Sequence, residues 1–136
     1  MVCKVLVLTH GTLAQSFVET AKLIIGNVDY FQFKNLPTSF DIEQYKKEIE
    51  EIIEDNSEQG ILIITDLLGG SPFISCSQIV HNHWEKMELI TGCNLQMLLA
   101  VSEEIEEKSI AELKHVALQV GRDGIIDLKE IIKESK

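Results

Sequence analysis

The chain is a series of apolar runs that stop at polar tips. Residues 2–8 are apolar except for Lys4 and break off at Thr9-His10-Gly11. Residues 61–64 are four apolar, mostly β-branched positions without alternation, and they break off at Thr65-Asp66. Unbroken runs of this kind predict parallel strands covered on both faces. Shorter runs at 30–33 and 87–90 predict two more strands, the second ending at Thr91-Gly92. Between the strands the period changes to that of a helix. Leu13, Phe17, Ala21 and Ile24 share one helical face behind a capping-box pair, Thr12 and Gln15, and Gly26 is placed to end the helix. After a loop containing Pro37, residues 40–54 put Ile42, Tyr45, Ile49, Ile52 and Ile53 inside. Their outer face carries Glu43, Lys47, Glu50, Glu51 and Glu54, with Glu43 and Lys47 spaced to pair.

Behind Asp66 the pair Gly69-Gly70 frees the backbone to turn. Ser71 predicts an N-cap and Pro72 the first helical position. Phe73, Ile74, Cys76, Ile79 and Val80 then face inward until the helix frays at 81–84. A brief helix over 95–101, an acidic link at 103–107 and a helix opened by Ser109 and Glu112 follow, the last running to Val120 with Gly121 behind it. The final run, 124–128, sits too close to that helix for a parallel crossover. It is expected as an antiparallel edge strand, open to exchange with a neighbouring subunit, with 129–136 a polar-tipped tail. Strands alternating with helices make the fold α/β, a doubly wound, mostly parallel sheet with helices on both faces. We expect one domain over 1–136, its core at 1–121 and its edge strand and tail at 122–136.

Composition narrows the function. The chain is 25% charged with a net charge of −10, which leaves no basic footprint for nucleic acid or an anionic membrane. No apolar run approaches the ~20 residues that span a bilayer, and the first one is too short for a leader. Cys3, Cys76 and Cys93 are odd in number and widely spaced, as in reduced packing thiols. A soluble, cytoplasmic protein is expected, with no cofactor.

In a doubly wound sheet, reactive groups collect at the carboxyl ends of the strands, near the switch in strand order. The candidates there are His10, Asp66, Thr91 and Asn94. The strands ending at His10 and Asp66 are expected to be neighbours. An aspartate bonded to one ring nitrogen fixes the tautomer and makes the other nitrogen a better nucleophile. Donors for an anion surround the pair: Thr9, Gly11 and Thr12 on one side, Gly69, Gly70 and Ser71 with the following helix N-terminus on the other. With no metal set and no phosphate-loop lysine, this suggests a phosphoryl group carried on His10 and delivered by another protein. If Asp66 holds Nδ1, the phosphoryl group goes to Nε2. His81 and His83 read as surface cations at a helix end, and His115 as a surface residue.

The segments Val-Leu-Val-Leu-Thr-His-Gly at 5–11, Thr-Asp-Leu-Leu-Gly-Gly-Ser-Pro-Phe at 65–73 and Thr-Gly-Cys-Asn-Leu-Gln-Met-Leu at 91–98 resemble the mannose-family IIA domain of the bacterial sugar phosphotransferase system. The resemblance implies that His10 takes a phosphoryl group from the phosphocarrier HPr and passes it to a IIB domain, serving a IIC/IID membrane permease. It implies Asp66 as the orienting partner, phosphoryl contacts from Ser71 and the glycine turn, and a homodimer that exchanges its edge strand. The family commonly has Asn where this chain has Ile74, and Pro where it has Gln96. A IIA-like module serving a dihydroxyacetone kinase or a transcriptional regulator is the alternative. A response-regulator receiver needs acidic residues where Thr9-His10 stand, and a flavodoxin-like protein needs a richer phosphate loop than Gly11-Thr12-Leu13.

Overall fold

A computed structural model describes residues 2–134; the last two residues of the expected tail lie outside them. Four strands, β1 (Lys4–His10), β2 (Phe31–Leu36), β3 (Ile61–Thr65) and β4 (Met87–Thr91), form one sheet. Its order is β2-β1-β3-β4 and every pairing is parallel. The strand order reverses between β1 and β3, so the crevice at their carboxyl ends is the switch point.

Alternation within buried strands divides the core in two. Val5, Val7, Leu62 and Ile64 face one side, under α1 (Leu13–Ile25), α4 (Leu95–Glu104) and α5 (Ile110–Asp123). Leu6, Leu8, Ile61 and Ile63 face the other, under α2 (Ile42–Asp55) and α3 (Ser71–Ile79). All five residues of β3 are buried. Each buried Ile or Leu contributes roughly 1.5–3 kcal/mol, so this strand anchors both layers. Ser109 and Glu112 form the expected reciprocal cap of α5.

Several details differ from the sequence reading. The segment 124–128 is not a strand. Helix α5 runs on to Asp123, with Gly121 buried inside it and the Gly124 N–H bonded to the Val120 carbonyl. Asp127 Oδ1 then accepts from Lys129 N at 3.1 Å and opens a short helix, α6 (Leu128–Glu134). A local aspartate cap has won over β-branched composition. Helix α4 likewise extends through Glu104, into the expected acidic link.

Helix α1 buries Ala14, Val18 and the expected Ala21, with Phe17 half-buried against the core, whereas Leu13 and Ile24, also expected inside, are exposed. Apolar residues stand all round this helix, so periodicity alone had no unique answer. In α2, Ile42 is exposed, and Glu43 pairs with Lys46 at 3.2 Å, not with Lys47. The α3 register is one residue off: Gly70 is the N-cap, Ser71 the first helical residue, and Ser75 is buried where Ile74 was expected. His83 is no surface cation. It is buried, with Nε2 2.8 Å from Glu50 and Nδ1 3.3 Å from Glu54. His81 is exposed and stacks on Trp84.

Candidate functional site

The parallel register sets Leu8 of β1 beside Thr65 at the end of β3, so His10, two residues on and the last of β1, meets Asp66, the first residue past β3. Asp66 Oδ2 accepts from the His10 backbone N–H at 3.1 Å and lies 3.0 Å from His10 Nδ1. An ionised carboxylate only accepts, so this contact assigns the ring hydrogen to Nδ1 and leaves the Nε2 lone pair free. The His10 side chain is 46% exposed and that of Asp66 14%. The imidazole is thus half-exposed, with Nδ1 held against the carboxylate. Asp66 Oδ1 is buried and has no hydrogen-bond partner among the described residues.

The ring rests on a glycine. A Cβ built at Gly70 stands 2.6 Å from His10 Cε1 and 3.2 Å from Nε2, so any side chain there collides with the imidazole. Gly70 is also the N-cap of α3. The first N–H groups of a helix have no intrahelical acceptor, and the helix dipole is positive at this end. Ser71 and Phe73 carry such groups; Pro72 has none to offer. Nε2 therefore faces an anion-binding helix terminus. Gly69, at φ 80°, makes the turn that brings this terminus under the histidine.

The other side of the corner is fixed by groups the sequence reading assigned differently. Thr9 is buried on the opposite sheet face. Its hydroxyl accepts from Ala14 N at 2.5 Å and donates to the His10 carbonyl at 3.1 Å. It holds the first turn of α1 and the His10 backbone, and it is buried on the sheet face away from the His10 ring. Thr12 is exposed and makes no side-chain cap bond; the capping-box partner Gln15 is instead bonded through its N–H to Asn35 Oδ1. Gly11, at φ 57°, exchanges backbone hydrogen bonds of 2.7 and 3.2 Å with Leu36. Leu36 and Asn35 were not anticipated. The strand predicted at 30–33 stopped short of them, whereas β2 runs on to Leu36 beside Gly11.

Thr91 and Asn94 sit at the same edge without converging on His10. The Asn94 side chain caps α4 through Met97 N at 3.0 Å and reaches the Gly121 carbonyl at 2.9 Å. Thr91 Oγ1 is buried and unpartnered. Cys93 lies against the site, its N–H bonded to the Thr65 carbonyl. Burial pushes its thiol up to about 12, and the Asp66 charge adds to the effect. Burial likewise takes Cys76 up to about 12. Tyr45 is raised by burial, then by Cys76 and Asp66. Burial thus holds all three groups toward their protonated forms. Among the described residues, no three His, Cys, Asp or Glu side chains are arranged to hold a metal ion, and no helix is long and apolar enough to cross a membrane.

The family profile described as "PTS system fructose IIA component" matches residues 4–118. The mannose-specific EIIAB component of Escherichia coli is 30% identical over 95% of the chain, which spans only 40% of that longer protein. The sorbose-specific EIIA component of Lacticaseibacillus casei is 24% identical over 93% of this chain and 91% of its own length. Among solved structures, a phosphotransferase system component EIIA from Streptococcus agalactiae aligns with a TM-score of 0.83 at 22% identity, covering 94% of this chain and 98% of that one. At this identity the likeness is one of fold.

Proposed function

The chain belongs to the mannose-type IIA family of the bacterial phosphotransferase system, and from that premise we propose that His10 is its phosphoryl carrier. The observation that carries this is a single geometry: Nδ1 is held 3.0 Å from Asp66 while Nε2 is exposed above the α3 N-terminus at Gly70. The Nε2 lone pair attacks the phosphorus of phosphorylated HPr. The donor's N–P bond breaks, its electron pair returns to the donor ring, and a new N–P bond forms on Nε2. Nδ1 keeps its hydrogen throughout. The ring becomes cationic, and Asp66 stabilises that charge without taking the proton. In this reading the N–H groups of Ser71 and Phe73 at the α3 N-terminus, with the Ser71 hydroxyl, donate hydrogen bonds to the phosphoryl oxygens. Attack by a group on a IIB domain reverses the sequence, and a IIC/IID permease couples it to sugar uptake.

We place this reaction in the cytoplasm, in a single domain. A homodimer is the accompanying reading, since Ile125, Ile126, Leu128, Ile131 and Ile132 are all exposed; sedimentation at micromolar concentration tests it. The test of the carrier is intact mass after incubation with phosphoenolpyruvate, enzyme I and HPr. Wild type gains one acid-labile phosphate and His10→Ala gains none. Phosphate on neither, with HPr itself phosphorylated, removes the proposal.

A further inference from the structure

The two oxygens of Asp66 have different company. Oδ2 takes both contacts with His10, the backbone N–H and Nδ1. Oδ1 is buried without a partner among the described residues, and a carboxylate oxygen taken out of water needs a donor. The residues that follow Asp66 supply none. Leu67 and Leu68 are exposed, in a turn that the Gly70 N–H closes on the Leu67 carbonyl. The layer beneath does hold a donor. Strand β2 ends at Leu36 and a short loop leads straight into α2, so the first turn of α2 is level with the switch point. That turn is fixed by Asp41, whose side chain accepts from Glu43 N and Gln44 N and whose carbonyl accepts from Tyr45 N at 2.9 Å. Tyr45 is buried there in one cluster with Leu8, Leu36 and Cys76. Phe40 stands edge-on to its ring at 6.0 Å, and Lys34 Nζ lies 5.5 Å from the ring centre.

None of these contacts uses the Tyr45 hydroxyl, and phenylalanine would make them as well. Its oxygen is nevertheless buried, again without a partner among the described residues. Burial raises the phenol, and the Cys76 thiol and the Asp66 carboxylate raise it further, which places the hydroxyl end of the ring toward those two groups. Ser75 Oγ, next to Cys76 on α3, is a third buried oxygen of this kind. The phenol and the serine can donate, and the carboxylate only accepts. Buried oxygens so matched, with no direct bond between them, are what an internal water joins. We propose that Tyr45 is a positioning residue for phosphoryl transfer: its hydroxyl donates across one buried water to Asp66 Oδ1 and so keeps Oδ2 on His10 Nδ1. This rests on His10 being the phosphoryl carrier. A carboxylate bonded through Oδ2 alone is free to turn about its Cβ–Cγ bond. Bonded through both oxygens, it holds the Nδ1–H tautomer, and with it the Nε2 lone pair. The donor also disperses the Asp66 charge, so the hydrogen stays on the ring when the imidazolium forms.

The experiment compares wild type, Tyr45→Phe and Tyr30→Phe with two donors, phosphorylated HPr and phosphoramidate. Tyr30 is the control, because its hydroxyl is bonded to Ser102 Oγ at 2.7 Å at the amino end of the sheet. Melting curves check the fold. In Tyr45→Phe the saturated rate with phosphorylated HPr falls about three- to tenfold, and half-saturation stays within about twofold of wild type. Phosphoramidate shows the same slowing, since the defect lies in the ring and not in docking. The ¹⁵N shifts of the free protein show part of the Nδ1–H tautomer of His10 giving way to Nε2–H. Tyr30→Phe keeps the wild-type rate and tautomer. A wild-type rate or a wild-type tautomer ratio in Tyr45→Phe overturns the proposal, as does slowing confined to phosphorylated HPr or an equal change in Tyr30→Phe. If wild type takes phosphate from neither donor, the carrier reading itself has failed. The tautomer, read without any phosphoryl transfer, then decides Tyr45 alone: a shifted ratio in Tyr45→Phe upholds its link to Asp66, and an unchanged ratio overturns it.

Discussion

Gly70→Ala isolates the contact on which the site depends. The Gly70 backbone has φ −75° and ψ 166°, which any residue adopts, so alanine brings no backbone strain. What it brings is a methyl group 2.6 Å from His10 Cε1 and 3.2 Å from Nε2. Opening the closer approach to an ordinary contact of 3.4 Å requires a displacement of about 0.8 Å. Either the ring swings away, carrying Nδ1 from its 3.0 Å contact with Asp66, or the first turn of α3 recedes and takes its N–H groups from Nε2. Both responses remove interactions with a charged partner, worth about 1.5–3 kcal/mol. At 1.4 kcal/mol per factor of ten this is roughly a 10- to 150-fold slower phosphorylation of His10.

Stability should hardly register the change. The ring is half-exposed and regains hydrogen bonds to water when it leaves Asp66, so the loss to the fold is chiefly that of a weaker N-cap, about 0.5–1 kcal/mol. Gly69→Ala is the control. Nothing lies within 4 Å of its built Cβ, but its φ of 80° disfavours a side chain. It should lower stability by roughly 1–2 kcal/mol and leave the rate within a few-fold. Quench-flow phosphorylation by HPr gives the rates, and ¹⁵N shifts of the imidazole report the tautomer. A Gly70→Ala protein with the wild-type rate and Nδ1–H tautomer would falsify the packing account.

Other outcomes follow from the same contacts. Asp66→Asn keeps the shape but removes the charge facing the cationic ring; phosphorylation by HPr should slow about 10- to 100-fold, and a rate within twofold of wild type would show that Asp66 only fills space. Thr9→Val removes the hydroxyl that caps α1, and denaturant unfolding should register a loss of about 1–2 kcal/mol; a selective collapse of rate without that loss would restore Thr9 to the phosphoryl side. Thiols at about 12 are almost wholly protonated at pH 8, with about one thiolate in ten thousand. Ellman's reagent should therefore label buried Cys76 only as the chain unfolds and half-buried Cys93 slowly in the native protein, and labelling of native Cys93 at the rate of a free thiol would contradict its raised pKa.

The strands, their polar tips and the His10–Asp66 pair were legible in the sequence because each rests on strong local chemistry. A strand buried on both faces must be apolar without alternation, and the switch point then fixes which tips meet. Long-range hydrogen bonds were not legible. Nothing local reveals that the Thr9 hydroxyl caps α1 or that Asn35 and Leu36 clasp the turn behind His10, since those bonds depend on how the helix docks. His83 was misassigned for the same reason: its carboxylate partners lie more than a helix away in sequence, on α2.

The remaining errors share a cause that bears on function. Leu13, Ile24 and Ile74 were expected inside and stand outside, and 124–128 was expected to pair and does not. Periodicity detects only that a side chain avoids water; it does not say whether the fold or a partner removes it. A helix such as α1, apolar on more than one face, has more hydrophobic surface than one layer can cover. Such surplus in an unpartnered chain is the pattern expected of interfaces. Leu13 and Ile74 flank the imidazole, and the surplus at 125–132 lies elsewhere, on the chain beyond α5. On the proposed reading the two patches take different partners, a transfer protein at the first and a second copy of the chain at the second. Leu68→Glu should then weaken docking without dissociating a dimer, and Ile126→Glu should do the reverse. Loss of both properties in either single variant would mean that one surface serves both partners.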